Sequence, residues 1–140
     1  MPWARSFWAF SKSLLQTTFE RLNKFIPAKK IISVTNSKHH SNIKMQLAKL
    51  SEETVILAEP ISKNTAPAIA LSVKYIVENF EDDDVILVVP SDLQINDSEK
   101  FIQTMQSAEH FAKEGHIVTF GVKPNYPETG FGYICTKEEK

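Results

Sequence analysis

Apolar residues recur along this chain with two alternating periods. Leu14, Leu15, Phe19 and Leu22 stand at helical spacing and predict a helix over Ser13–Lys24. The β-branched run Lys30–Val34 predicts a short strand. Ser41–Leu50 returns to helix, with Ile43, Leu47 and Leu50 on one side, and Thr54–Ala58 reads as a second strand. Thr65–Phe80 predicts a long helix whose buried stripe is Ile69, Val73, Ile76 and Phe80. Asn64 or Thr65 can cap it, and Pro67 suits its first turn. Val85–Val89 is apolar at every position, as expected of a central strand covered on both faces. A fourth helix runs from a cap at Asp97 or Ser98 through Glu114, with Gly115 placed as a C-terminal cap glycine. Ile117–Val122 predicts the last strand.

Strands separated by helices imply right-handed crossovers and a mainly parallel sheet. The pattern therefore predicts an α/β fold, a three-layer Rossmann-like sheet. Ligands in such sheets bind beyond the carboxyl ends of the strands. Three loop stretches follow predicted strands: Glu59–Thr65 after Ala58, Pro90–Asp92 after Val89, and the Pro-Glu-Thr-Gly loop after Val122. They are expected to converge on one rim.

Composition narrows the function classes. A length of 140 residues suffices for one domain and one core. A formal net charge of −1 supplies no long-range field for nucleic acid or an anionic membrane. The single cysteine, Cys135, excludes an internal disulfide and fits a reducing compartment; inert packing is its expected role. No apolar run approaches the ~20 residues of a membrane span, and nothing at the N-terminus reads as a signal peptide, so a cytoplasmic protein is expected. Whether it forms a homo-oligomer stays open.

The stretch Val118–Ile134, VTFGVKPNYPETGFGYI, carries the most chemistry. An apolar run enters a loop with Pro124 and Pro127, then Glu128 and the closely spaced Gly130 and Gly132. Bare backbone after a rigid loop lets main-chain N–H groups approach a ligand, and a β-hairpin turn would use the same glycines. Asp92, three residues past the most apolar run, is placed either to bind Mg²⁺ or simply to end a strand. Asn64 and Thr65 cap a helix whose N-terminus also favours anions. His39 and His40 fit a solvated helix start. Glu81–Asp84 lacks the calcium-loop pattern and reads as a solvated turn.

Together, Glu59–Ile69 (EPISKNTAPAI), Val88–Ile95 (VVPSDLQI) and Val118–Ile134 resemble the mannose-1-phosphate guanylyltransferases, over roughly residues 12–134. The resemblance implies a nucleotidyltransferase that moves GMP from GTP to mannose 1-phosphate, giving GDP-mannose and pyrophosphate. It implies that Lys63, Asn64, Thr65 and Pro90 line the nucleotide pocket, that Asp92 binds Mg²⁺, and that Glu128, Thr129, Gly130 and Gly132 hold the sugar. No residue is assigned as a catalytic acid, base or nucleophile. Departures are Leu93 for a common histidine, Lys63 for arginine and Phe131 for tyrosine. The family's opening strand and glycine-rich phosphate loop have no counterpart, since no glycine precedes Gly115. A later Glu-Lys-Pro segment and a second metal-binding aspartate are likewise missing. The chain thus reads as an unpatterned leader, residues 1–11, followed by a partial nucleotidyltransferase domain, residues 12–140, incomplete at both ends. The leader is expected to pack poorly and the isolated chain to be impaired in catalysis. A non-catalytic sugar-nucleotide-binding relative is the alternative, and a receiver-like signalling domain a more distant one.

Overall fold

The computed structural model describes residues 12–61, 64–80, 85–130 and 132–135. Lys63, Phe131, Glu81–Asp84 and the leader lie outside these residues. The described elements are α1 (Leu14–Leu22), a 3₁₀ turn (Ala28–Lys30), β1 (Ile32–Asn36), α2 (His40–Leu47), β2 (Val55–Glu59), α3 (Thr65–Asn79) and α4 (Ser98–Lys113). The architecture is α/β with parallel strands, a Rossmann-like arrangement. β1 and β2 pair in parallel from Ile32 opposite Val55 to Asn36 opposite Glu59. The α2 crossover joins them, because parallel strands cannot be linked by a tight turn.

α1 starts in a capping box. The Ser13 hydroxyl accepts from the Gln16 amide at 3.2 Å, and the Ser13 amide donates to Gln16 Oε1 at 3.1 Å. Two helix-end donors are thereby satisfied. The same residues also clamp α1 to α2. Ser13 Oγ lies 2.6 Å from Gln46 Oε1, and Gln16 Nε2 donates to the Gln46 carbonyl at 3.0 Å. Beneath this clamp, Phe19, Ile31 and Leu47 form the buried core, with Leu15, Leu22, Ile43, Leu50 and Ile56 packed around it. The predicted stripes of α1 and α2 are therefore the ones that bury, except for Leu14, which stays 44% exposed.

α4 also follows its sequence signals. The Asp97 carboxylate accepts from the Lys100 amide at 2.9 Å, which caps the helix. Gly115, at φ +88°, takes the left-handed conformation that ends it.

Two predicted strands do not form. Val85–Val89 and Ile117–Val122 join no ladder among the described residues, whose sheet has two strands. Val85, Ile86 and Val88 are exposed, where burial on both faces was expected, and Ile117 is 98% exposed. The physical reason is that a strand, unlike a helix, has no internal partners for its N–H and C=O groups. β1 and Val85–Val89 flank a cavity instead of pairing across it. α3 forms over the predicted span, but Val73 on its expected stripe is 37% exposed and none of its residues is fully buried. Cys135 is exposed, contrary to its expected packing role. His39 is exposed and His40 half-buried at the start of α2, as a solvated helix start requires.

Candidate functional site

β2 ends at Glu59, and α3 begins at Thr65. The residue before that helix, Asn64, has φ +67°, the one positive φ of a non-glycine residue among those described. Its ψ of −164° places it outside the left-handed helical region that asparagine favours, in a region used almost only by glycine. Its side chain makes no capping bond to α3. The expected Asn64 side-chain cap is therefore corrected: its positive φ departs from the extended conformation that a capping residue takes. The first-turn amides of α3 have no side-chain cap and remain able to donate to an anion. Thr65 and Asn64 are both exposed.

Asp92 sits in a turn with Ser91, exposed, just after Pro90. The turn is tied to the body of the fold by the Thr18 hydroxyl of α1, 3.5 Å from the Ser91 carbonyl. Asp92 itself makes no hydrogen bond or ion pair among the described residues, so both carboxylate oxygens can meet an incoming cation. Among the described residues no three acidic, histidine or cysteine side chains group to hold a metal. A divalent cation would then rest on Asp92 and on oxygens supplied by a bound phosphate. That pattern fits Mg²⁺, which often takes one or two carboxylates plus substrate phosphates.

The loop at Glu128 is held by its own residues. The Glu128 amide donates to the Tyr133 hydroxyl at 2.7 Å, and that hydroxyl lies 2.9 Å from the Glu128 carbonyl. The Gly130 amide donates to Glu128 Oε1 at 3.1 Å. Tyr133 thus closes the loop, a role that the sequence reading did not give it. The signal was its spacing, five residues beyond Glu128, the reach of a small closed turn. Glu128 is half-buried, while Thr129, Gly130 and Gly132 are exposed. Neither Gly130 nor Gly132 has a positive φ, and a methyl group at Gly132 would meet nothing. Their glycine identity is therefore not demanded by the fold around them.

The structure does not join these three loops directly. Among the described residues no hydrogen bond or ion pair links Asp92 with Asn64, Thr65, Glu128 or Gly130. A further residue, missed in the sequence, lies on the inner side of α1. Arg21 of α1 is 6% exposed, its guanidinium 5.6 Å from the Phe101 ring of α4. Its Nε and Nη1 atoms are buried with no hydrogen-bond partner. The available signal was its position seven residues past Leu14 and three past Thr18, which places it on the inner side of the helix.

Comparison with known proteins adds an independent finding. The profile of a family described as nucleotidyl transferase matches residues 5–140. The chain is 40% identical over 126 residues to a mannose-1-phosphate guanylyltransferase of Salmonella montevideo, an alignment covering 89% of this chain and 26% of that protein. A mannose-1-phosphate guanylyltransferase of Escherichia coli is 40% identical over 123 residues, covering 87% of this chain and 26% of its own. A putative mannose-1-phosphate guanylyltransferase of Vibrio cholerae is 37% identical over 127 residues, covering 91% and 27%. The chain spans about a quarter of the length of the curated relatives it matches.

Proposed function

The chain belongs to the nucleotidyl transferase family, and from that premise we propose that it carries part of a mannose-1-phosphate guanylyltransferase site. The observation that carries this reading is the 40% identity to proteins of that name across nearly the whole chain. In the proposed reaction a phosphate oxygen of mannose 1-phosphate attacks the α-phosphorus of GTP. A new P–O bond forms, the bond from the α-phosphorus to the bridging oxygen breaks, and pyrophosphate leaves with that electron pair.

Each element has a physical task in this scheme. The uncapped amides at the start of α3 are suited to an anionic group, and Asn64, Thr65, Lys63 and Pro90 would border the nucleotide. Asp92 would hold Mg²⁺, whose charge offsets that of the phosphates. Glu128 would accept bonds from sugar hydroxyls through the oxygen not bonded to Gly130, while Gly130 and Gly132 leave room for the hexose beside the backbone. Positioning and charge neutralisation, not acid–base chemistry, are what these residues can supply. A cytoplasmic location and action without a membrane belong to the same proposal. No helix among the described residues is long and apolar enough to cross a membrane.

The test is calorimetric titration of the chain with GDP-mannose and, separately, with UDP-glucose, each with and without Mg²⁺. GDP-mannose is expected to bind at least about tenfold more tightly when Mg²⁺ is present, and Asp92→Asn is expected to remove that difference, at a cost of about 1.4 kcal/mol per tenfold loss. Equal affinity for the two sugar nucleotides overturns the substrate reading. A Mg²⁺ effect that survives Asp92→Asn overturns the metal assignment. Pyrophosphate release from GTP and mannose 1-phosphate then separates a catalyst from a relative that only binds.

A further inference from the structure

β2 is hydrogen-bonded on one side only. The Val55 amide donates to the Ile31 carbonyl at 3.4 Å, and the Ser37 amide donates to the Glu59 carbonyl at 3.1 Å. Alternate residues of a strand turn their main-chain groups to opposite edges, so Val55, Leu57 and Glu59 serve the ladder with β1. The N–H and C=O groups of Ile56 and Ala58 point the other way, and no strand meets them among the described residues. Neither residue is charged or a proline, the devices that commonly block pairing at an edge.

A groove of about 400 Å³ runs beside this edge. One wall is His40, Lys44 and Ala48, four residues apart along α2 and its C-terminal cap. Thr54 and Ile56 form the other wall, and Glu52 lines the groove from the connecting loop. Ile56 packs against the core of Phe19 and Leu47, so the groove lies on the helix-covered face of the sheet. Residues 38–49 hold three lysines, two histidines and no acid, which makes the helical wall electropositive. Among the described residues neither His40 nor Lys44 forms an ion pair. Asp92, Thr65 and Glu128 do not line the groove, so it is separate from the proposed nucleotide site.

We propose that this edge is a docking site for an acidic extended segment of a partner protein. The segment adds to β2 as a further strand and sets acidic side chains against His40 and Lys44. Main-chain bonds to Ile56 and Ala58 supply affinity, and the alternate side chains supply selectivity. His40 and Lys44 are separated by about 6 Å along the helix axis, and alternate residues of a strand by about 6.6 Å. One acidic residue can therefore meet each. The next alternate position faces Ala48 and Ile56 and takes an apolar side chain. Charge also argues against a second copy as the occupant, because continuing the sheet across two copies sets the same basic helix face against itself.

The probe is fluorescein-labelled Val-Thr-Glu-Thr-Glu-Thr-Val, whose glutamates share one face in either strand direction, read by anisotropy at low salt. It is expected to bind at least about tenfold more tightly than Val-Thr-Lys-Thr-Lys-Thr-Val. Lys44→Glu, at an exposed position, is expected to invert that preference. Main-chain pairing is read by N-methylating alternate residues of the glutamate peptide. Methyl groups on one set are expected to abolish binding and on the other to be tolerated, since only one edge of the added strand meets β2. Ala58→Pro removes an outward N–H and spares the ladder with β1; it is expected to weaken binding about fivefold. Equal binding of the glutamate and lysine peptides, or equal tolerance of both methylated sets, overturns the proposal. So does the lack of saturable binding up to about 1 mM. Dimerisation of the chain that Ala58→Pro abolishes makes a second copy the occupant and overturns it too. If Ala58→Pro does not fold, the methylated peptides and Lys44→Glu still decide.

Discussion

Leu47→Ala is expected to destabilise the chain by about 3–5 kcal/mol, the range for emptying a fully enclosed leucine site. Leu47 has 0% exposure and is the largest fully buried side chain among the described residues. It sits where α1, α2 and the sheet meet, with Phe19 and Ile31 as its buried neighbours. Only four apolar side chains are buried among the described residues, so the neighbours have few ways to collapse into the space left behind. Against a total stability of about 5–15 kcal/mol, such a loss leaves a small margin. Met45, on the same helix but 61% exposed, is the control, and Met45→Ala is expected to change stability by less than about 0.5 kcal/mol. Urea unfolding of both variants is the measurement. The midpoint for Leu47→Ala is expected to fall by about 1.5–2.5 M relative to the parent, given a slope of about 2 kcal/mol/M. Equal midpoints for the two variants would move the core away from Leu47.

Arg21→Met is expected to raise stability by about 1–2 kcal/mol. A buried charge without a partner carries a desolvation cost of several kcal/mol, and apolar replacements of buried ionic groups are often neutral or stabilising by about 1–4 kcal/mol. The Phe101 ring 5.6 Å away returns part of that cost, at most about 2 kcal/mol for a desolvated cation–π contact. Methionine keeps the unbranched apolar stem and fills irregular space. Arg21→Lys is expected to act in the opposite direction, because an ammonium is more strongly hydrated than a guanidinium. Thermal unfolding of the three proteins at one pH gives the order Met, Arg, Lys. If Met is the least stable of the three, the guanidinium is held by an acceptor and its role is an ion pair, not tolerated burial.

How legible each part of the fold was in sequence follows from where its hydrogen bonds lie. The four helices were readable to within a few residues at each end, because their ladders close within the segment and their caps are local. The Ser13–Gln16 box and the Asp97 cap needed no knowledge of the rest of the fold. β1 and β2 were readable because a crossover of suitable length brings each a partner. Val85–Val89 had the strongest strand composition of all and forms none, because composition cannot supply the neighbour. Asn64 failed as a side-chain cap because its φ of +67° is not the extended conformation a capping residue takes, and residue type alone does not reveal that. Arg21 was illegible because arginine is normally exposed, and its contact with Phe101 of α4 is a tertiary one. The family itself was legible from three loop stretches, since an ordered run of residue types can be recognised without any knowledge of packing.

The core draws on an uneven share of the chain. Phe19, Ile31 and Leu47 all come from its first half, whereas α4 buries one apolar side chain, Met105. Among the described residues no backbone-to-backbone hydrogen bond involves residues 117–130. In amide hydrogen exchange the chain should therefore divide into two cooperative units. The β1–β2 ladder and the first two helices would open only with global unfolding, and the Glu128 loop would exchange at nearly the rate of a free peptide. The proposed sugar-binding end would then be the low-stability unit, and its protection would rise by the free energy of whatever it binds.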